Sequence, residues 1–121
     1  MSANKRILVV DDDPEITSML SRALARRGYV IDATSSAEDA LERTTTTSYA
    51  AAVVDLVMPG RDGVDLAAAL RLLRPGLPIA LLTGYSHSPL IETARRQPAT
   101  AVFMKPVSIA DLTDFLEAEI A

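Results

Sequence analysis

Short apolar runs alternate with longer amphipathic stretches along this chain. The apolar runs end at acids or turn residues, as buried strands do, and predict five strands, over residues 7–10, 29–34, 50–54, 79–82 and 101–104. Between them apolar residues recur every third or fourth position, which predicts five helices, over residues 14–27, 37–43, 64–73, 89–96 and 109–120. Strands that alternate with helices favour a parallel sheet with right-handed crossovers. The predicted fold class is α/β, one doubly wound domain of five βα units spanning residues 1–121.

Capping and turn residues set several of the predicted helix boundaries. Asp13 is a suitable cap before Pro14, and Ser108 is a suitable cap for the last helix. Arg61 and Asp62 are expected to be turn and helix-cap residues. The threonine tract 44–47 is brief low complexity, and we predict that it is a solvated loop.

Composition excludes several classes of protein. The 121 residues are 49% apolar and 23% charged, enough for one ordinary core, and 12 Lys and Arg against 16 Asp and Glu give a net charge of −4. No basic run supports direct nucleic-acid binding, and without cysteine neither disulfides nor thiolate chemistry are available. The apolar run before Asp11 is too short for a signal peptide or a membrane span, so we expect a cytoplasmic domain without a membrane partner.

Polar side chains follow four of the predicted strands, at the point where each strand ends. They are Asp11 and Asp12 after the first strand, Asp55 after the third, Thr83 after the fourth and Lys105 after the fifth. The carboxyl ends of parallel strands meet at one edge of a sheet, which is where such folds bind ligands. Converging carboxylates repel one another unless a cation lies among them, and oxygen ligands without His or Cys favour Mg²⁺ or Mn²⁺. With a hydroxyl and an ammonium nearby, such a site could hold a phosphoryl group while a carboxylate attacks it.

Four motifs in chain order carry a family resemblance. They are Val-Val-Asp-Asp at 9–12, Asp-Leu-Val-Met-Pro-Gly-Arg-Asp-Gly at 55–63, Leu-Leu-Thr-Gly at 81–84 and Lys-Pro at 105–106. Each is weak alone, but together they resemble the CheY-like receiver domain of two-component response regulators over essentially the whole chain. The resemblance implies a flavodoxin-like parallel sheet with strand order 2-1-3-4-5.

The resemblance also implies roles for individual residues. Asp55 would accept the phosphoryl group, Thr83 would hydrogen-bond one of its oxygens, and Lys105 would contact it as a cation, with a cis peptide bond to Pro106. The implied Mg²⁺ ligands are Asp12 directly, Asp11 in an assisting role, Asp55, and the backbone carbonyl of Val57.

The implied function is that of a signalling switch rather than a turnover enzyme. It would catalyse its own phosphorylation from the phosphohistidine of a histidine kinase or a histidine phosphotransfer protein, and its own dephosphorylation. The expected output partner is a downstream protein or a covalently attached output domain, and a homodimer is compatible with the sequence. The Thr-Gly-Tyr sequence at 83–85 resembles receivers joined to hybrid histidine kinases.

Two departures from the family pattern concern the switch and the lifetime of the phosphoryl group. Relatives commonly carry Tyr or Phe three residues before the lysine, whereas this chain has Val102, and strand alternation directs its neighbour Phe103 to the opposite face. The positions two residues beyond the acceptor and the threonine are Val57 and Tyr85. Because both are apolar and bulky, we predict that they shield the acyl phosphate from water and slow its hydrolysis.

Other interpretations stay open at this point. The acids at 11–13 could merely cap a helix, Lys105 could extend from a strand end into solvent, and Thr83 could be an ordinary strand residue. We expect His87, the single histidine, to be solvent-exposed rather than catalytic. The chain could also be a pseudo-receiver that docks without phosphorylation. A phosphatase of the haloacid dehalogenase type would need an Asp-x-Asp-x-Thr pattern, which residues 11–15 do not provide.

Overall fold

A computed structural model describes residues 4–58, 60–84 and 89–120 of the chain. In these residues the strands are β1 (Arg6–Val10), β2 (Val30–Thr34), β3 (Ala51–Asp55), β4 (Val57–Met58), β5 (Arg61–Asp62), β6 (Ile79–Thr83) and β7 (Thr100–Met104). The helices are α1 (Pro14–Ala25), α2 (Ala37–Thr46), α3 (Gly63–Leu73), α4 (Pro89–Arg95) and α5 (Ile109–Ile120). None of these helices is both long and apolar enough to cross a membrane.

Five of the strands form one sheet in the order β2-β1-β3-β6-β7, with every neighbouring pair parallel. Counted along the chain as the first to fifth strands of the sheet, this is the predicted order 2-1-3-4-5, and the α/β prediction is confirmed. β3 lies at the centre and all of its residues are buried, which explains the uninterrupted apolar run in the sequence. The prediction did not include the short antiparallel ribbon of β4 and β5, which follows β3 directly.

Helices cover both faces of the sheet and bury two apolar clusters. On one face α2, α3 and α4 pack over alternate strand residues, and on the other face α1 and α5 do so. Val102 packs in the first cluster and Phe103 in the second, so the predicted alternation at these two positions is confirmed. Phe103 meets Phe115 of α5 edge to face, with ring centroids 5.9 Å apart.

Capping side chains lie at the N-termini of the helices for which the sequence predicts them. Asp13 accepts a hydrogen bond from the backbone N–H of Glu15 at 2.9 Å, as expected for the start of α1. Asp62 caps α3 through the N–H of Asp65 at 2.8 Å, and Ser108 caps α5 through the N–H group of residue 111 at 3.2 Å.

The threonine tract is not a solvated loop, and that prediction was wrong. α2 continues through Thr46, and Thr44 is fully buried. Its hydroxyl donates a hydrogen bond to the carbonyl of Ala40 at 2.8 Å, one helical turn earlier, which satisfies the buried oxygen without breaking the helix. α1 ends at Ala25, two residues before the predicted end.

Candidate functional site

Asp55 ends the central strand and is held by contacts to both carboxylate oxygens. Its side chain is buried, with 5% of the residue exposed. Oδ1 accepts a hydrogen bond from the N–H of Val57 at 3.2 Å, and Oδ2 lies 3.3 Å from Nζ of Lys105. The Asp55 carboxylate is therefore held in a fixed orientation at the edge of the sheet where β3 ends.

Asp11 and Asp12 follow β1, the neighbouring strand, and differ in exposure. Asp11 is buried: its N–H donates to the carbonyl of Thr34 at 3.2 Å, and its Oδ1 accepts from the N–H of Asp13 at 2.9 Å. Asp12 is exposed. Asp11, Asp12 and Asp55 each direct one carboxylate oxygen into a common space, where these atoms lie within 4.8 Å of one another.

Lys105 completes the cluster from the end of β7. Its backbone N–H donates to the carbonyl of Thr83 at 2.7 Å, and its peptide bond to Pro106 is cis, as the resemblance implied. Nζ lies 3.2 Å from Oδ2 of Asp11, nearly the same distance as from Oδ2 of Asp55. The side chain is 22% exposed and turns inward between the two acids, so it does not extend into solvent.

Thr83 and Val57 occupy the remaining predicted positions. Thr83 is fully buried at the end of β6, one residue beyond Leu82, which pairs with Asp55 in the sheet. Val57 begins β4 two residues after Asp55, and its side chain is 46% exposed. Both residues lie at the same edge as the acids. The predictions that fall on Pro59, Tyr85 and His87 concern positions outside the described residues.

Burial and charge shift the pKa values of two groups in the site. Burial, helped by the nearby charge of Asp11, raises the pKa of the Asp55 carboxyl above its ordinary value. Burial alone would lower the pKa of Lys105, but the charges of Asp11 and Asp55 outweigh it, so the net shift of that pKa is upward. The ammonium therefore stays charged, and the Asp55 carboxylate bears a cost of burial that a further cation would reduce.

The donor set fits a hard divalent cation. Three carboxylates face a single ammonium in the described part of the site, which leaves an excess of negative charge. Among the described residues, Oδ2 of Asp11 is buried without a hydrogen-bond partner, although it forms an ion pair with the Lys105 ammonium. Carboxylate and carbonyl oxygens are the ligands that Mg²⁺ and Mn²⁺ prefer. Asp11, Asp12, Asp55 and the carbonyl of Val57 could hold such an ion.

Two grooves lead to Asp12, one on each side of the loop that follows β2. One has a volume of about 310 Å³ and runs between Pro14 of α1 and Ser35. The other has a volume of about 350 Å³ and runs between Ser35 and Arg61. Asp12 lines both, so a group on another molecule can approach the acids from solvent.

The structure places Gly63, the last residue of the motif at 55–63, against the site. Gly63 is the first residue of α3, and its N–H donates to the carbonyl of Leu56 at 2.7 Å. A Cβ atom built there would lie 2.5 Å from the backbone oxygen of Asp55. The Asp-Gly pair signals a turn, but no sequence pattern reports such a close approach between backbones.

Comparison with known proteins gives consistent matches over most of the chain. The family profile described as the response regulator receiver domain matches residues 7–117. The transcriptional regulatory protein TcrA of Mycobacterium tuberculosis is 38% identical over 78 residues, which cover 64% of this chain and 31% of TcrA. The response regulator receiver protein CpdR of Brucella abortus is 30% identical over 113 residues, which cover 93% of this chain and 94% of CpdR.

A solved structure extends the similarity to three dimensions. The beryllofluoride-activated NtrC4 receiver domain dimer matches with a TM-score of 0.88 and 28% sequence identity, covering 96% of both chains. The chain thus spans less than a third of TcrA but nearly all of CpdR.

Proposed function

The chain belongs to the response regulator receiver domain family, and from this premise we propose that Asp55 accepts a phosphoryl group from a phosphohistidine. The donor would be a histidine kinase or a histidine phosphotransfer protein. Phosphorylation would then alter the surface that a downstream protein, or an attached output domain, binds. The protein acts in this proposal as a switch that promotes chemistry on itself and does not turn over a substrate.

One observation supports this proposal most strongly. Nζ of Lys105 lies 3.2 Å from Asp11 and 3.3 Å from Asp55, and the carboxylate of Asp12 opens the same cluster to solvent. A site that only stabilised the fold would not need a third, exposed carboxylate beside a buried pair. The arrangement supplies a nucleophile, a fixed cation and an accessible side for the donor.

The proposed reaction is an in-line displacement at phosphorus. A carboxylate oxygen of Asp55 forms the new O–P bond while the P–N bond to the donor histidine breaks, and the electron pair leaves with the imidazole. The ammonium of Lys105, already beside Asp55, pairs with a phosphoryl oxygen as negative charge develops there. The hydroxyl of Thr83 would hydrogen-bond another phosphoryl oxygen once that group is attached.

Mg²⁺ is the cofactor that we propose for this step. Asp11, Asp12, Asp55 and the carbonyl of Val57 would hold the ion, which when bound neutralises charge on the phosphoryl oxygens. The buried Oδ2 of Asp11, which has an ion pair but no hydrogen bond, supports this assignment.

The phosphoryl mimic beryllofluoride tests the acceptor without the cognate kinase. With Mg²⁺ present, we expect beryllofluoride to shift backbone NMR signals around Asp55, Thr83 and Lys105 in the wild type but not in Asp55→Asn. Asp13→Asn is the matched control, since Asp13 is a neighbouring acid that caps α1 and asparagine also caps well. This variant should respond like the wild type.

Phosphotransfer from labelled histidine kinases of the source organism tests the donor. We expect label to appear on the wild type and on Asp13→Asn and to be absent from Asp55→Asn. If beryllofluoride perturbs none of the three proteins and no kinase labels them, the chain is a docking module that works without phosphorylation.

A further inference from the structure

Position 63 has no room for a side chain. A Cβ atom on Gly63 would lie 2.5 Å from the backbone oxygen of Asp55, 2.8 Å from Cα of Leu56 and 3.1 Å from the carbonyl carbon of Asp55. All three contacts are with backbone atoms, which cannot rotate away as the end of a flexible side chain could. A methyl group at this position must therefore move one of the two backbones.

The peptide that Gly63 contacts carries the proposed phosphoacceptor. The N–H of Gly63 donates to the carbonyl of Leu56 at 2.7 Å, and pairing of Val57 with Asp62 closes the chain between these two points into a tight loop. The N–H of Val57, inside this loop, donates to Oδ1 of Asp55. Gly63 therefore closes the loop that sets the position of the Val57 backbone relative to the acceptor carboxylate.

The two backbones are not equally anchored. α3 is held by the buried side chains of Leu66, Ala67 and Leu70. The end of β3 is paired on one side only: its pairing with β1 stops at Val54, and beyond it Asp55 and the N–H of Leu56 pair only with Leu82 of β6. A displacement forced by a methyl group should therefore fall mainly on residues 55–57.

We propose that Gly63 is a positioning residue for phosphoryl transfer. The missing side chain lets the first turn of α3 lie directly on the peptide after Asp55, which fixes the acceptor carboxylate and the Val57 carbonyl in one geometry. This inference rests on the function proposed above and adds a residue that touches neither the phosphoryl group nor the metal ion.

The test compares Gly63→Ala with Gly84→Ala. Gly84 is the matched control because a Cβ atom there would meet no atom of the described residues within 4 Å. Alanine is the better helix former, so lower helix propensity cannot explain a defect in Gly63→Ala. Both variants and the wild type are assayed well below their melting temperatures, with circular dichroism as the measure of folding.

Two readouts separate positioning from stability. Mg²⁺ titration followed through the backbone NMR signals of Asp55 and Val57 gives the metal affinity, and phosphorylation by the small donor phosphoramidate at saturating Mg²⁺ gives the rate. We expect Gly63→Ala to lose about tenfold or more in both, since a misplacement of about 1 Å can cost about 100-fold in rate. Gly84→Ala should match the wild type in both.

The proposal is wrong if folded Gly63→Ala binds Mg²⁺ and accepts phosphate like Gly84→Ala, even when its melting temperature is lower. Should Gly63→Ala not fold alone, the measurements are repeated in trimethylamine N-oxide, which favours compact states. A chain that stays unfolded there also overturns the proposal, because the methyl group would then disrupt the core rather than the acceptor. If the wild type itself neither binds Mg²⁺ nor accepts phosphate, the proposed function fails, and this inference with it.

Discussion

The ammonium nitrogen of Lys105 lies 3.2 Å from Oδ2 of Asp11, a carboxylate that is only 1% exposed. The same nitrogen lies 3.3 Å from Oδ2 of Asp55, so one cation forms ion pairs with two buried acids at the ends of neighbouring strands. Lys105 is thus the counter-ion that makes burial of these acids tolerable before a metal ion binds.

Replacement of Lys105 by methionine should destabilise the metal-free protein. The change leaves Asp11 and Asp55 without a cation while keeping most of the side-chain volume. We expect the free energy of unfolding in urea with EDTA to fall by about 2 kcal/mol, below the usual cost of breaking a fully buried pair because Lys105 is 22% exposed. Mg²⁺ should then stabilise the variant more than the wild type, since the ion replaces the missing charge.

Lys5→Met is the control for this prediction. Lys5 is exposed and its ammonium lies over the ring of Tyr29, 5.5 Å from the centroid. It precedes β1, whereas Asp11 follows the opposite end of that strand. Replacement of Lys5 should cost less than about 1 kcal/mol, with no change in the effect of Mg²⁺. An equal Mg²⁺ effect in both variants would argue against Lys105 as the counter-ion of Asp11 and Asp55.

The side chain of Val57 should control the lifetime of the phosphorylated protein. It is 46% exposed and lies two residues from Asp55, so we expect this apolar group to shield an acyl phosphate on Asp55 from water. Val57→Asn places a group there that can orient water, and we expect the phosphoryl group to be lost about tenfold faster. The measurement is decay of label after the donor has been removed.

Val30→Asn is the matched control for the lifetime, because Val30 is 50% exposed on β2, the outermost strand of the sheet. Decay should be as slow as in the wild type. If Val57→Asn also decays at the wild-type rate, water access at this position does not limit hydrolysis.

The sequence predicts the sheet, and the convergence of these polar side chains at one edge, because each of them stands at the end of an apolar run or just after it. Once the strands are parallel, Asp55 and Lys105 must meet at one edge, however far apart they are in the chain. Their ion-pair distance of 3.3 Å agrees with that reasoning.

The sequence is less informative where tertiary contacts override local composition. Thr44 looks like part of a polar loop, yet it is fully buried in α2 and its hydroxyl donates to the helix backbone. At Gly63 the sequence signals a turn but not the close backbone contact, which depends on how α3 packs after the β4–β5 ribbon. Neither outcome is encoded in the spacing of apolar residues.

Arg71 should stabilise the packing of α3 against the start of β7, at the edge of the sheet opposite the acids. Its guanidinium donates to the carbonyl of Ala99 at 3.1 Å and to the hydroxyl of Thr100 at 2.7 Å, which ties α3 to the start of β7. Ala99 has a left-handed backbone, with φ of 53°, and this hydrogen bond helps to hold it. The guanidinium also donates to the carbonyl of Leu77 at 3.3 Å. Arg71→Met should lower the free energy of unfolding by about 2 kcal/mol, because these hydrogen bonds from a charged donor are lost.

Arg74→Met is the control for Arg71→Met. The guanidinium of Arg74 donates only to the neighbouring carbonyl of Leu73, at 3.3 Å, among the described residues. We expect its replacement to change stability by less than about 0.5 kcal/mol, measured by urea unfolding at neutral pH. Similar losses in the two variants would mean that the contacts of Arg71 add nothing beyond those of a surface arginine.

Tyr49 should make the protein lose stability in alkaline solution. Its hydroxyl donates to Oδ2 of Asp32 at 2.8 Å, and that carboxylate also pairs with Arg6 at 3.1 Å. Burial, together with the hydrogen bond to Asp32, raises the pKa of Tyr49 above 10.0. Above about pH 10 the unfolded chain therefore loses this proton while the folded chain keeps it, and stability falls as pH rises towards the folded-state pKa.

Tyr49→Phe tests the predicted direction of this pH dependence of stability in two pH ranges. At about pH 7 the variant should be less stable by about 1 kcal/mol, because the hydrogen bond to Asp32 is lost and no proton is released in either state. Between about pH 10 and about pH 11 its stability should fall less steeply than that of the wild type. Some decline should remain, because burial and the charge of Glu117 also raise the pKa of Tyr29. Parallel stability curves above about pH 10 would show that Tyr49 titrates alike in the folded and unfolded chains.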